Sequence, residues 1–177
     1  GPMAQQYDAV LILAFGGPDK PEEVISFIEG IVRGRNVPRK RVLEVARHYE
    51  HVGGRSPNNE QCRWLVSALE VELATHGPKL PVYWGNRHWD PVLTDTVAEM
   101  TADGVQRALA VVTSAYSSYS GCHQYLDDIA AARAAVGSAA PHIEKIRQYF
   151  DHPGFIEPFR DATAAAIAEL GDPRAPI

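Results

Sequence analysis

Several stretches of the sequence combine residue types that suit an anionic or aromatic ligand. In Gly53-Gly54-Arg55-Ser56-Pro57, a double glycine ends one predicted helix and Ser56 is placed to cap the next. Amide N–H groups at a helix start, a hydroxyl and the neighbouring Arg55 suit a carboxylate or a phosphate. The same residues also suit an ordinary helix cap that contributes about 1 kcal/mol, and the sequence leaves both interpretations open.

A second stretch is strongly basic, although the whole chain has a formal charge of −5. No acid interrupts its basic residues, which are Arg33, Arg35, Arg39, Lys40 and Arg41. The last three would occupy the first turn of a helix, where the macrodipole disfavours each cation by about 0.3–1 kcal/mol. Since helix stability does not select them, the segment is either a solvated surface or a site for a ligand with several carboxylates.

A third stretch, from Thr113 to Tyr125, is rich in hydroxyls and aromatic rings and follows a predicted strand. Loops after parallel strands line the ligand crevice of α/β proteins. Its serines could simply cap the next helix, and Tyr125 could belong to the core. Aromatic rings interleaved with small polar groups also suit a flat macrocycle with a polar rim.

The histidines and cysteines predict no metal centre. His48 and His51 are three apart on a predicted helix, but no third ligand is near them in sequence. His88, beside Trp89, is expected to be structural. Cys62 and Cys122 show no metal-binding spacing, and reduced thiols of this kind are typical of a cytoplasmic protein.

These stretches lie between the elements of a predicted α/β fold. Apolar runs predict strands over Asp8–Phe15, Pro81–Asn86, Arg107–Val112 and His142–Ile146. Helical periodicity predicts helices over Pro21–Arg33, from Pro38 to Val52, from Ser56-Pro57 to about Thr75, and over Pro91–Asp103, Gly121–Val136 and Gly154–Leu170. Strands that alternate with helices favour a doubly wound, mainly parallel four-stranded sheet flanked by helices.

Composition limits the class of protein. The 177 residues, 45% of them hydrophobic, suit one domain with a substantial core. An acidic chain is a poor nucleic-acid partner, and no apolar run reaches the roughly 20 residues of a transmembrane segment. Residues 1–3 are interpreted as a tag remnant and start, and residues 4–177 as one lobe that stops before a further strand is complete.

Taken together, the motifs resemble the amino-terminal half of the ferrochelatase family, in order and with matching spacings. The resemblance is closest to actinobacterial members that insert iron into coproporphyrin. The motifs are Phe15-Gly16-Gly17-Pro18, Arg33-Gly34-Arg35, His48-Tyr49, Gly53-Gly54-x-Ser56-Pro57, Tyr83-Trp84-Gly85-Asn86-Arg87 and the segment Thr113–Tyr125.

The resemblance implies a chelatase-like lobe that holds coproporphyrin III against a second lobe of the same protein while Fe²⁺ is inserted, in haem biosynthesis. It places the catalytic histidine and glutamate beyond Ile177, so no catalytic residue is expected in this chain, and the chain alone is expected to be inactive. The porphyrin-binding residues that it implies are Ser56, Tyr125, Tyr49, His48, Phe15, Arg33 and Arg35.

The resemblance also leaves some features open. Phe15 departs from relatives that place an iron-binding tyrosine there, and a phenyl ring can stack but cannot coordinate. No cofactor is required within the chain, although some relatives carry an iron–sulfur cluster for which Cys122 is a candidate ligand. The alternatives are a stand-alone tetrapyrrole-binding module and a flavodoxin-like nucleotide or flavin binder, which the fold class alone permits.

Overall fold

Four parallel strands form the central sheet of the chain. A computed structural model describes residues 7–51, 53–54, 57–113 and 119–146. The strands are β1 (Ala9–Ala14), β2 (Val82–Asn86), β3 (Arg107–Val112) and β4 (His142–Ile146), in the spatial order β2-β1-β3-β4. The predicted parallel α/β sheet is confirmed, and the first two strands are shorter than predicted by one or two residues.

Five α-helices connect or follow these strands within the described residues. They are α1 (Val24–Val32), α2 (Arg39–His51), α3 (Pro57–His76), α4 (Leu93–Ala102) and α5 (Tyr119–Val136). The predicted start at Pro21 is a 3₁₀ turn, Pro21–Glu23, and α4 begins after Val92, whose backbone is extended. The predicted helix Gly154–Leu170 lies outside the described residues. Among those residues, no helix is both long and apolar enough to cross a membrane.

Helices cover both faces of the sheet, as a doubly wound fold requires. Alternate residues of β1 point to opposite faces: Leu11 and Leu13 pack with α4 and α5, whereas Val10 and Ile12 pack with Cys62 and Leu65 of α3. Leu11, Ile12 and Leu13 are fully buried. Each such side chain contributes roughly 1.5–3 kcal/mol through its burial, so β1 is the centre of the core.

The helices α1 and α2 form an antiparallel hairpin beside the carboxyl end of β1. Their shared core contains Phe27, Ile28 and Val45, and Phe15 packs against it. At one end of the hairpin, Arg39 Nη1 pairs with Glu29 Oε2 at 3.0 Å. At the other end, Gly54 lies against Pro21. The hairpin therefore has one end at the edge of the sheet and the other end, with the turn between α1 and α2, away from it.

The chain leaves α2 through two glycines with different surroundings. Gly53 has φ +95° and Gly54 has φ +62°, backbone conformations that strongly favour glycine. A Cβ atom on Gly54 would lie 2.6 Å from Pro21 Cα, whereas a Cβ atom on Gly53 would meet nothing within 4 Å. Both positions therefore favour glycine because of their backbone conformation, and Gly54 also favours it because a larger residue would overlap Pro21.

These two glycines provide a matched pair of substitutions. We expect Gly53→Ala to lower the free energy of unfolding by about 1–2 kcal/mol, the cost of the left-handed backbone conformation. Gly54→Ala should cost a further 1–3 kcal/mol, approximately, because its methyl group overlaps the backbone of Pro21. Urea unfolding followed by tryptophan fluorescence measures both. Equal losses for the two variants would show that the contact with Pro21 has no energetic weight.

Candidate functional site

The loops after β1 and β2 stay paired beyond the ends of the strands. The backbone N–H of Arg87 donates to the carbonyl of Ala14 at 2.9 Å, and that of His88 donates to the carbonyl of Phe15 at 3.0 Å. Gly16 permits the close approach, because a Cβ atom there would lie 3.0 Å from Asn86 Cβ and 3.0 Å from Trp89 N. The side chains after the two strands are therefore fixed side by side at the carboxyl edge of the sheet, where α/β proteins bind ligands.

Two buried asparagines hold these loops in shape. Asn86 Nδ2 donates to the carbonyl of Asp90 at 3.2 Å, and Asn86 Oδ1 accepts from the indole of Trp84 at 2.8 Å. Asn59, near the start of α3, donates through Nδ2 to the carbonyl of Gly17 at 2.6 Å. Both asparagines are 1% exposed, so their hydrogen bonds are shielded from competing water. The loops are thus anchored to β2 and to α3.

Aromatic side chains from four parts of the chain meet at this edge. Phe15 lies 4.6 Å from His88 and 6.3 Å from Phe27, measured between ring centroids. Phe27 lies 6.1 Å from Tyr49 and 6.0 Å from Trp89, with its ring edge-on to both. These separations are typical of favourable aromatic pairs. We call Phe15, Phe27, Tyr49, His88 and Trp89 the ring cluster.

Arg87 connects the ring cluster to α5. Its guanidinium carbon lies 5.7 Å from the centroid of the Phe15 ring and 5.0 Å from that of Tyr125. The same guanidinium pairs with Asp128 and donates to Gln124 Oε1 at 3.1 Å. Arg87 thereby links Tyr125 to Phe15, although these two residues are 110 positions apart in the sequence.

The histidine of the ring cluster is held neutral. Burial, and secondarily the positive charge of Arg87, lower the pKa of His88 from 6.5 to about 3. Its Nε2 atom is buried and has no hydrogen-bond partner among the residues that the structure describes. His88 therefore packs as a neutral ring against Phe15 at neutral pH.

The structure divides the residues implied by the resemblance into two groups. Phe15, Tyr49 and Tyr125 belong to the aromatic region, and Tyr49 and Tyr125 are buried there at 1% and 3% exposure. Arg33 and Arg35 lie at the other end of the hairpin, after the last residue of α1. The 9 residues of α1 span about 14 Å, which is the distance between the two ends of this helix.

The remaining two residues of that set are His48 and Ser56. His48 is exposed and precedes Tyr49 near the end of α2. Ser56 lies outside the described residues, so its predicted contact with a porphyrin stays a prediction.

Sequence reasoning gave no site role to Phe27, Arg87, His88 or Trp89. Phe27 has the helical spacing of a core residue, and His88 was expected to be structural. A usable signal was present, since residues that follow two adjacent parallel strands meet at one edge of the sheet. This signal can be used only when it is known that β1 and β2 are neighbours in the sheet, and the sequence does not show that.

The described residues contain no group of three or more histidine, cysteine, aspartate or glutamate side chains that could hold a metal ion. The thiol of Cys62 is buried in the core, and this burial raises its pKa to about 12. Such a thiol does not ionise at neutral pH, which agrees with the packing role predicted for it. Cys122 lies on α5, and the described residues offer no donor set for an iron–sulfur cluster.

Comparison with known proteins gives a family. Residues 7–176 match the family model described as ferrochelatase, which covers nearly the whole chain. The chain belongs to the ferrochelatase family. The resemblance inferred from the sequence motifs is therefore confirmed.

Curated relatives in this family have closely similar sequences. Coproporphyrin III ferrochelatase of Nocardia farcinica is 56% identical over 92% of this chain and 46% of the relative. Coproporphyrin III ferrochelatase of Streptomyces coelicolor is 52% identical over 94% of this chain and 45% of the relative. Ferrochelatase of Rhodopirellula baltica is 50% identical over 93% of this chain and 47% of the relative. The chain thus spans about half the length of the curated relatives that it matches.

The neutral state of His88 predicts a dependence of stability on pH. Between about pH 6.5 and 3 the unfolded chain protonates this histidine and the folded chain does not, so the free energy of unfolding falls as the pH falls through this range. From pH 7 to pH 5 the loss attributable to His88 is about 2 kcal/mol. His88→Phe should remove this part of the pH dependence, as measured by urea unfolding at both pH values.

The control for this measurement is His51→Gln, which removes an exposed histidine from the end of α2. A change in this variant as large as that in His88→Phe would show that the effect is not specific to the buried ring. If His88→Phe and the wild type lose the same stability between pH 7 and pH 5, His88 is not buried in a neutral state.

Proposed function

We propose that this chain is the porphyrin-gripping lobe of an enzyme that inserts Fe²⁺ into coproporphyrin III in haem biosynthesis. The observation that carries the proposal is the ring cluster at the carboxyl edge of the sheet, in a chain of the ferrochelatase family. A wall of aromatic side chains at the ligand-binding edge of an α/β sheet suits a flat apolar macrocycle.

The basic residues support a porphyrin with carboxylates around its rim. Arg33 is exposed and Arg35 is half-buried in the turn between α1 and α2. Arg39 is engaged by Glu29 and Arg41 by Glu44, so part of the basic segment is neutralised within the hairpin. We infer that Arg33 and Arg35 bind propionate groups, since guanidinium groups pair well with carboxylates. The names of the two actinobacterial relatives point to coproporphyrin III in the same way.

In this proposal the chain contributes binding and orientation. Phe15 and Trp89, the partly exposed rings of the cluster, contact one face of the macrocycle, and the buried Phe27 and Tyr49 support them from behind. The arginines hold the rim of the macrocycle in a chosen orientation. The free energy of the contacts between the arginines and the propionates can then stabilise a bent macrocycle, the geometry in which metal enters. The proton-accepting histidine and glutamate, and the second lobe, are proposed to lie in the part of the enzyme that corresponds to the other half of the relatives. A cytoplasmic location belongs to the same proposal and is supported by the free thiol of Cys62.

The nucleotide-binding alternative has no support in the loop after β1. A phosphate-binding loop presents free backbone N–H groups to its ligand. Here Pro18 has no N–H group, and the carbonyl of Gly17 is bound by Asn59. The family match also argues for a tetrapyrrole in place of a nucleotide.

A titration with coproporphyrin III tests binding. We expect the 177-residue chain to bind it saturably, as measured by the Soret absorption band, and more weakly at higher ionic strength. Arg33→Ala and Arg35→Ala should each weaken binding about fivefold, which corresponds to roughly 1 kcal/mol for an ion pair at the protein surface. Lys79→Ala, which removes an exposed cation before β2, is the control and should leave the affinity unchanged.

Iron insertion tests the division of labour. With coproporphyrin III and Fe²⁺ under anaerobic conditions, we expect the 177-residue chain to bind the porphyrin without converting it to the iron complex. The measurement is the appearance of the iron porphyrin spectrum over the uncatalysed rate. Catalysed insertion by these residues alone would contradict the proposed placement of the catalytic groups, and failure of the wild type to bind would overturn the proposed function itself.

A further inference from the structure

We infer that Arg87 is a positioning residue that fixes the Phe15 ring against α5, and that it does not bind a carboxylate of the ligand. This inference rests on the proposed function, because it assigns Arg87 to the porphyrin-binding wall. It adds a residue to which neither the family match nor the sequence motifs give a role.

The backbone of Arg87 is fixed before its side chain makes any contact. Arg87 follows directly on β2, and its N–H group donates to the carbonyl of Ala14 at 2.9 Å. The next residue, His88, donates to the carbonyl of Phe15 at 3.0 Å. The starting point of the Arg87 side chain therefore has a defined position relative to Phe15.

The guanidinium group binds two side chains on one face of α5. Its Nε atom donates to Asp128 Oδ2, and its Nη2 atom donates to Gln124 Oε1 at 3.1 Å. Gln124 and Asp128 are four residues apart, so both project from the same side of the helix. A planar guanidinium can donate to both acceptors at once through different nitrogen atoms, whereas a lysine ammonium has a single nitrogen atom. The contact fixes the rotation of α5 as well as its distance from β2.

The same guanidinium lies against two aromatic rings. Its carbon atom is 5.7 Å from the centroid of Phe15 and 5.0 Å from that of Tyr125, within the range of about 6 Å for cation–π contacts. Phe15 belongs to the loop after β1, and Tyr125 belongs to α5. One buried cation therefore sets the distance between the two elements.

The charge of Arg87 is already balanced. Its side chain is only 7% exposed, and the carboxylate of Asp128 is its ion-pair partner. A ligand carboxylate would have to displace Asp128 and enter a buried space, which costs the existing pair. Arg33, which is exposed, has no comparable obstacle. The two arginines thus differ in function: Arg33 contacts the rim of the ligand, whereas Arg87 supports the ring cluster from inside the protein.

The test compares identical substitutions at two arginines. Arg87→Lys keeps the charge but loses the planar pair of N–H donors. Arg133→Lys makes the same change at an arginine of α5 that donates to the carbonyl of Pro141 at 2.8 Å. We expect Arg87→Lys to weaken coproporphyrin III binding about tenfold, consistent with a lost buried polar contact, and to shift the bound Soret band towards that of the free porphyrin. The affinity and the band of Arg133→Lys should match the wild type.

Two further measurements separate positioning from direct binding. The dependence of the dissociation constant on salt should be the same for the wild type and for Arg87→Met, which removes the charge, whereas it should be shallower for Arg33→Ala. Asp128→Asn, which keeps the shape of the acceptor and removes its charge, should also weaken binding and shift the band, and it replaces Arg87→Lys if that variant does not fold.

The outcomes are distinct. Binding and spectrum unchanged in both Arg87→Lys and Asp128→Asn would overturn the inference while leaving the proposed function intact. A shallower salt dependence in Arg87→Met, with an unshifted band, would overturn it in favour of direct carboxylate binding. Absence of binding by the wild type would overturn the proposed function and this inference with it.

Discussion

The candidate site depends on the pairing of β1 with β2 at the carboxyl edge of the sheet. This pairing continues for two hydrogen bonds past the strands, so Arg87 and His88 are fixed in register with Ala14 and Phe15. The fully buried β1 cannot shift by one residue without reversing which side chains face each helical layer. The register that the core requires is therefore also the register that assembles the ring cluster.

Electrostatics divide the basic residues of the chain by depth. Arg87 is buried, paired with Asp128 and in contact with two rings, so its charge is used inside the protein. Arg33, at the end of α1, is exposed, and its charge is available to an anion in solution. An acidic protein can in this way offer a locally basic surface at one end of the hairpin, while the charge of Arg87 beside the ring cluster is balanced by Asp128. The neutral His88 ring belongs to this cluster.

The fold was largely predictable because its signals are local. Within the described residues, apolar runs predicted the four strands, and caps and glycines predicted the helices to within a few residues. The errors lie at helix starts, where the first turn is 3₁₀ at Pro21 and extended backbone replaces helix at Val92. These details depend on how a loop packs against its neighbours, which periodicity does not record.

The site was predictable only in part. Phe15, Tyr49 and Tyr125 were singled out through resemblance, and the structure places them in one aromatic region. Arg87, His88, Trp89 and Phe27 were not, because the properties that matter for them arise from contacts between distant segments. The low pKa of His88 comes from burial and from Arg87, and neither is visible in a histidine that precedes a tryptophan.

The sequence by itself determined the alternation of strands and helices, the parallel sheet and the family, because periodicity, caps and motif spacing are properties of short segments. Only the tertiary structure decided which side chains share the carboxyl edge, that Arg87 is buried while Arg33 is exposed, and that His88 is neutral. The reason is physical: burial, ion pairing and ring packing depend on distances between residues such as Arg87 and Asp128, and the order of β2-β1-β3-β4 sets those distances.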